Sequence, residues 1–363
     1  MKPVSALYYI KENKLRCALL AFMFVLTYIA YIGGLYIYNV PEIYEYHEDA
    51  MKKYAIIYAD PSDTDFSKLN AAMEEIEKDD RITVIKQGYV SSISISSVMG
   101  LHHSFFQGSF RSVEDFKTFC EHMGIKCDYS NLKAGSMIAS QMVVNNRGME
   151  LGKVFAEEDK YDRMMAEYTL DAITDQEGPF VYYIDDRENE NYILLSTGMS
   201  EEEFEDYTAE LKQKYDIFVN DRAYLMRIID EQLNGMIVIY VFILILLAVV
   251  MAVTINAAFV GMYIHRKPEF AIYRAIGIGK REIAGKIASE LLAIDAIGLV
   301  SGGVLMFLIL YLLNNLVLYP KGLMLSYYNN LALFGLLLCN LAVLVPMIIT
   351  RCRQMIRADI CEY

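Results

Sequence analysis

The chain has 363 residues, enough for about two or three soluble domains, but 55% of them are apolar and gather in charge-free runs, which excludes a purely soluble fold. The net charge of −13 hides two parts of opposite sign: residues 39–235 hold 39 acidic and 19 basic residues, and the rest holds 7 acidic and 14 basic ones. Nucleic acid is not expected as a partner, because the basic residues flank apolar runs and form no patch of their own.

Residues 1–16 carry Lys2, Lys11, Lys14 and Arg16 and are expected to be a cytoplasmic segment. Residues 17–38 meet the length of about 20 apolar residues that crosses the hydrocarbon core. This run is longer than the apolar part of a signal peptide, and no small-x-small cleavage site precedes Glu42, so it reads as a retained transmembrane helix.

Residues 39–234 form the acidic part. Strands are expected at Tyr54–Ala59 and Ile82–Lys86, with an acidic amphipathic helix at Asp65–Lys78 between them. The pattern returns as strand Tyr192–Ser196, helix Ser200–Lys214 and strand Ile217–Asn220, and Ser200 with Glu203 is a helix-capping signature. Two strand–helix–strand units bracketing an insert predict one lobe from residues 54–87 and 191–220 and an inserted lobe at 88–190, the alternative being a single irregular domain. Within the insert, AGSMIASQMVVNNRGMELGKVF reads as strand, short helix, a turn at Asn146–Gly148, then strand.

The charge-free run 235–264 is the second span, 288–313 the third and 331–350 the fourth. The connecting segment 265–287 is rich in Lys and Arg, 314–330 holds only Lys321, and the tail 351–363 carries Arg351, Arg353 and Arg357. Basic and basic-poor flanks therefore alternate. They predict both termini and 265–287 in the cytoplasm, with 39–234 and the loop 314–330 outside. The expected fold class is an α-helical membrane protein with four transmembrane helices plus an α+β extracytoplasmic domain of two lobes.

Catalytic signatures are missing. No phosphate-binding loop occurs, and Gly277-Ile-Gly279-Lys280-Arg281 has the wrong spacing for one. His102, His103 and His122 lack a spacing that dictates a metal site, and the acidic run Glu201–Asp206 reads as a solvated helix face. No catalytic, cofactor-binding or metal residue is assigned. Cys17, Cys339, Cys352 and Cys361 fall in or near spans or on the cytoplasmic side, and for Cys120 and Cys127 a local disulfide and two free thiols are equally open. Glu290 and Asp295 stand at the cytoplasmic start of span three, where a carboxylate is a functional candidate by default. The competing reading is a bond from Glu290 to a neighbouring helix or a basic loop residue.

In HRKPEFAIYRAIGIGKREIAGKIASELL, Pro268 suits a first helical turn, Glu269 the positive helix end, and Gly277 a stop. A second helix follows from Lys280. A short amphipathic helix is thus presented under the bilayer, either floating on lipid or inserting into the groove of a cytosolic partner.

The pattern Arg266, Glu269, Ala271, Ile272, Arg274, Ala275, Gly277, then Lys280, Arg281, Ile283, Glu290, Gly298 and Gly302, resembles the FtsX-like permease family, which includes MacB-type and lipoprotein-releasing ABC transporter permeases. The start Asn13-Lys14-Leu15-Arg16, the GSMIASQMVVNNRGMELGKV stretch, and Pro346 followed by arginines and Asp359-Ile360 are similar to family segments too. The resemblance implies a cell-membrane permease subunit with no enzyme activity of its own. ATP would be bound by a cytosolic ABC ATPase chain, and a second permease chain would complete a homodimer or heterodimer. Membrane lipid and an outer protein or peptide ligand are the further partners. The implied work is mechanotransmission: ATP hydrolysis moves the outer domain to export or extract an amphipathic peptide- or lipid-like substrate. Alternatively, the same machine regulates an outer cell-wall hydrolase or a sensor kinase. A membrane-anchored sensor without an ATPase is the third reading. ATPase coupling is assigned to Arg266, Glu269, Phe270, Ala271, Ile272, Tyr273, Arg274 and Gly277, and packing between spans to Glu290, Gly298 and Gly302, with Gly33, Gly34 and Gly303 beside them.

Overall fold

The computed structural model describes residues 10–59, 66–104, 108–156 and 162–357, so Lys2, the expected helix start at Asp65, Asp359-Ile360 and Cys361 lie outside it. The chain forms two compact units: Met1–Tyr38, Met236–Leu313 and Ser326–Tyr363 make one, Asn39–Gly235 and Asn314–Leu325 the other.

Four helical segments among the described residues are long and apolar enough to cross a membrane: Cys17–Met51, Arg222–Ile264, Lys280–Lys321 and Asn330–Ile356. Each outruns its apolar stretch, because backbone hydrogen bonding continues where the side chains turn polar. The first is two helices, α1 (Lys14–Val25) and α2 (Tyr28–Met51). At the break the Thr27 hydroxyl donates to the Phe24 carbonyl at 2.6 Å. The core of this unit joins Cys17, Ala21 and Phe24 to Phe259, Tyr263, Ile287 and Leu291. Val238, Phe242, Val253 and Val300 are exposed, as apolar residues meeting lipid tails would be.

The helices approach closely at small residues. A Cβ on Gly298 would lie 2.5 Å from the Ala21 carbonyl oxygen, one on Gly302 2.5 Å from the Tyr28 ring, and one on Gly34 2.6 Å from the Ala332 backbone. A Cβ on Gly303 would lie 3.0 Å from the Tyr28 hydroxyl, whereas one on Gly33 would meet nothing within 4 Å. Gly335, which the sequence reading passed over, faces Tyr240, whose hydroxyl donates to the Ala30 carbonyl at 2.9 Å.

In the other unit, β1 (Tyr54–Tyr58), β2 (Ile82–Lys86), β10 (Tyr192–Ser196) and β11 (Phe218–Asn220) make an antiparallel sheet in the order β11-β1-β10-β2. Ile56 pairs with Ile193 and with Asn220. Helices α3 (Ser67–Ile76) and α6 (Glu201–Tyr215) bury Leu69, Met73, Phe204 and Leu211 on Ala55, Ile57 and Leu194 of this sheet. Alternation along β1 sends Tyr54 and Ile56 to the opposite face, where they join Phe110 and Phe119. The Ser200 hydroxyl accepts from the Glu203 N–H while Glu203 accepts from the Ser200 N–H, the capping box its sequence announces.

The intervening residues supply a ribbon, β3 (Ser94–Ser96) with β4 (His102–Ser104), and a mixed five-stranded sheet. That sheet contains β5 (Gly108–Phe110), β6 (Ser136–Ser140), β7 (Val154–Phe155), β8 (Tyr168–Thr174) and β9 (Val181–Ile184), ordered β5-β9-β6-β8-β7. Helix α4 (Val113–Met123) packs Phe116 and Phe119 against Phe110 and Tyr182. Helix α5 (Gln141–Arg147) follows β6 directly and stops at Gly148, φ +63°. Both sheets belong to the same compact unit.

Residues 314–325, most of the expected external loop 314–330, fold into this unit. Asn314 donates to the Leu325 carbonyl and accepts from its N–H, and Asn146 of α5 donates to the Gly322 carbonyl at 3.2 Å. Cys120 and Cys127 are free thiols; burial pushes the first up to about 12 and the second to about 11.

Candidate functional site

The helix α7 runs unbroken from Arg222 to Ile264, and a tight turn at His265-Arg266 leads into α8 (Lys267–Ala275). Pro268 stands in the first turn, where a missing N–H costs nothing, and Glu269 beside it is an acidic residue at the positive end of the helix. The stop is equally local. Gly277 takes φ +90°, which a side chain disfavours, and the Ile278 N–H reaches back to the Tyr273 carbonyl at 2.9 Å. Helix α9 (Lys280–Leu313) then enters the third span.

One face of α8 is fastened by charge. Arg266 donates from Nη1 to Glu290 at 2.6 Å and from Nε to Glu269 at 2.8 Å. Lys286 donates to Glu269 at 3.3 Å and to the Tyr273 hydroxyl at 3.1 Å, and that hydroxyl donates to Glu269 at 3.0 Å. Two cations and two carboxylates thus neutralise one another where Arg266, Lys286 and Glu290 are all buried. Burial pushes the Glu269 carboxyl up, but Arg266, with help from Tyr273 and Lys286, holds the group below its usual range.

Aromatic packing completes the inner face. Phe270 is fully buried and stacks on Tyr263 with centroids 6.2 Å apart, and the Arg266 guanidinium lies 5.0 Å from the Phe270 ring. The opposite face is bare: Ile272 is 61% and Ile276 69% exposed, with Ala275 and Pro268 beside them.

The residues assigned to coupling therefore separate. Arg266 and Phe270 point into the protein, and Glu269 and Tyr273 are bonded within the network. Ala271 and Arg274 are half-buried, and Ile272 alone of the side chains in that set is well exposed, next to the stop at Gly277. Glu290, grouped with the packing residues, is the far anchor of the loop helix and realises the bond to a basic loop residue. Asp295 is held separately, accepting from Asn340 at 2.7 Å. Sequence reading missed Lys286 and Tyr263. Lys286 had a signal, a basic residue four positions before Glu290 on one helical face; Tyr263 had none, since it lies within the charge-free run 235–264.

Residues 234–355 match the family model of the FtsX-like permease C-terminal domain. This part of the chain belongs to the FtsX-like permease family. The FtsX-like segment takes in most of α7, all of α8 and α9, and α10 (Asn330–Arg357) up to Met355, so every member of the charge network falls inside it. An FtsX-like domain marks a permease-type membrane subunit of an ABC transporter, and with four apolar helices the chain is a multi-pass membrane protein. No curated protein matches the chain.

Proposed function

We propose that this chain is the permease subunit of a MacB-type ABC transporter and that α8 is the helix through which a separate cytosolic ATPase acts. ATP is bound and hydrolysed on the partner. Two permease chains work together, and the movement reaches an extracytoplasmic α/β domain that handles an amphipathic peptide- or lipid-like substrate for export or extraction.

The observation that carries this reading is the two-faced construction of α8. Its inner face is locked by the Arg266–Glu269–Lys286–Glu290 network, so a push on the helix is transmitted to α9 rather than absorbed by bending. Its outer face presents Ile272 and Ile276, apolar anchors with the spacing of a helix laid in a groove. A helix that only floated on lipid would need no such fastening. The positive flanks support a cytoplasmic position for this loop, where an ATPase would reach it.

The test is affinity purification of the tagged chain from native membranes beside Ile272→Asp. The wild type is expected to bring down a P-loop ATPase. The variant, whose new charge lies on an exposed site, should insert normally and lose it. Absence of any ATPase with the wild type, under conditions that keep transporter complexes together, would refute the reading.

A further inference from the structure

The ribbon of β3 and β4 turns at an apolar tip. Turns favour Gly, Pro, Asn, Asp and Ser, yet here Met99, Gly100 and Leu101 make the tip, and with His102 they are all exposed. Met99 is 38% and Leu101 43% exposed. The loop is fully formed: the Ser97 N–H donates to the Leu101 carbonyl at 2.8 Å, the Gly100 N–H donates to the Ser97 carbonyl at 2.9 Å, and Gly100 takes φ +74°. Its two apolar side chains are therefore held out by a closed turn, not left out by a frayed one.

Asn39 decides where this tip lies. It follows the apolar run 17–38 directly in the sequence and so marks the level at which the first span leaves the hydrocarbon. Its side-chain oxygen accepts from the Val98 N–H at 2.9 Å, and its side-chain nitrogen donates to the Met324 carbonyl at 2.8 Å. Met324 in turn stands between the apolar segments Lys280–Lys321 and Asn330–Ile356. One side chain thus joins the ribbon to two stretches that adjoin spans. Met99 is next to Val98 and Leu101 is three residues on, within about 10 Å even if the chain were extended. The headgroup layer is itself about 5–8 Å deep, so the tip can reach the boundary between headgroups and acyl chains. Phe218 is equally exposed, at 42%, but it pairs with Tyr58 of β1. That strand begins only after α2 has run on from Asn39 to Met51, about 18 Å along its axis.

We propose that the Met99-Gly100-Leu101 tip inserts into the lipid leaflet beside the α/β unit, with the Met99 and Leu101 side chains at the acyl boundary and the turn backbone among the headgroups. A contact of two apolar side chains is far below the roughly 800 Å2 per partner of a stable protein interface. On a surface where the spans already hold the chain, it adds anchoring without a new cost of association. Lipid then grips the unit at a point where no chain connection runs. The inference rests on the membrane-spanning fold and is independent of the ATPase and of the side the unit faces.

Tryptophan fluorescence of the full chain in lipid nanodiscs tests it. The sequence contains no tryptophan, so an introduced one reports alone. Leu101→Trp and Met99→Trp should each lose at least about half of their emission when the lipids are brominated near the top of the acyl chain, because an interfacial anchor sits about 5–10 Å deep. Phe218→Trp should keep its emission, which controls for the indole's own liking for lipid. Adding Met99→Asp to Leu101→Trp should restore emission, since a charge resists entry at that depth. Full emission of Leu101→Trp in brominated lipid, equal quenching of Phe218→Trp, or quenching indifferent to Met99→Asp overturns the proposal. So does emission of Leu101→Trp that is shielded from aqueous iodide yet untouched by bromine, the signature of a tip covered by protein.

Discussion

Glu290 shows how differently one carboxylate reads alone and in its surroundings. Within an apolar span it suggests a proton carrier, yet here both its oxygens face Arg266, with Lys286 at 3.9 Å. Its role is to keep a buried guanidinium neutralised at the root of α8. Removing one partner of such a set leaves an uncompensated buried charge, whereas replacing a matched pair with apolar groups is close to neutral. Glu290→Ala should therefore lower stability by about 3–5 kcal/mol, measured by thermal or denaturant unfolding of the full chain in detergent. Arg266→Met combined with Glu290→Met should regain at least half of that loss, because Lys286 and Glu269 remain as a balanced pair. A double variant as unstable as the sum of its singles would mean that packing, not charge balance, governs the site.

Elements carry the next level of information, and here sequence and structure diverge unevenly. The loop helix was legible because each of its ends has a local cause, Pro268 and Gly277, and α6 was legible from Ser200 and Glu203. Helix α4 was equally signposted, with Ser112 accepting from the Asp115 N–H and Gly124 in the left-handed region, but it was not assigned from the sequence. Strand β9 was harder, since all four of its residues are buried and no alternation marks it. Residues 314–325 gave no sign of joining the α/β unit, because Asn314, Gly322 and Leu325 find their partners only in three dimensions. Glycines make the same point: Gly33 and Gly34 are adjacent and look alike, yet only Gly34 meets another helix. A residue against backbone cannot be relieved by a rotamer, so Gly298→Ala should cost about 1–3 kcal/mol as α1 is pushed from α9. Gly285→Ala, in the same helix with nothing within 4 Å, should instead stabilise by up to about 1 kcal/mol. Equal effects of the two, in the same unfolding assay, would show that helix propensity and not interhelical contact sets the outcome.

At the scale of the molecule, two independent observations converge on the topology. The first is charge: the acidic excess is confined to residues 39–235, and outside that segment the basic residues cluster at 1–16, 265–287 and 351–363. The second is geometric. Residues 314–325 fold with Asn39–Gly235, so both must lie on one side of the membrane, which requires an even number of crossings between them. Helices α7 and α9 supply two. Membership of one unit groups the two segments, and the positive flanks give the expectation that the side they share is the outer one. The combined expectation is specific. In a cysteine-free background, Glu77→Cys and Lys321→Cys should react with a membrane-impermeant maleimide in intact cells. Lys280→Cys, at the exposed start of α9, should react only after permeabilisation. Labelling of Glu77→Cys and Lys321→Cys on opposite sides would break the two-crossing arrangement itself. Labelling of Lys280→Cys from outside, with the other two protected, would keep the fold and invert it, placing Ile272 beyond the reach of any cytosolic ATPase.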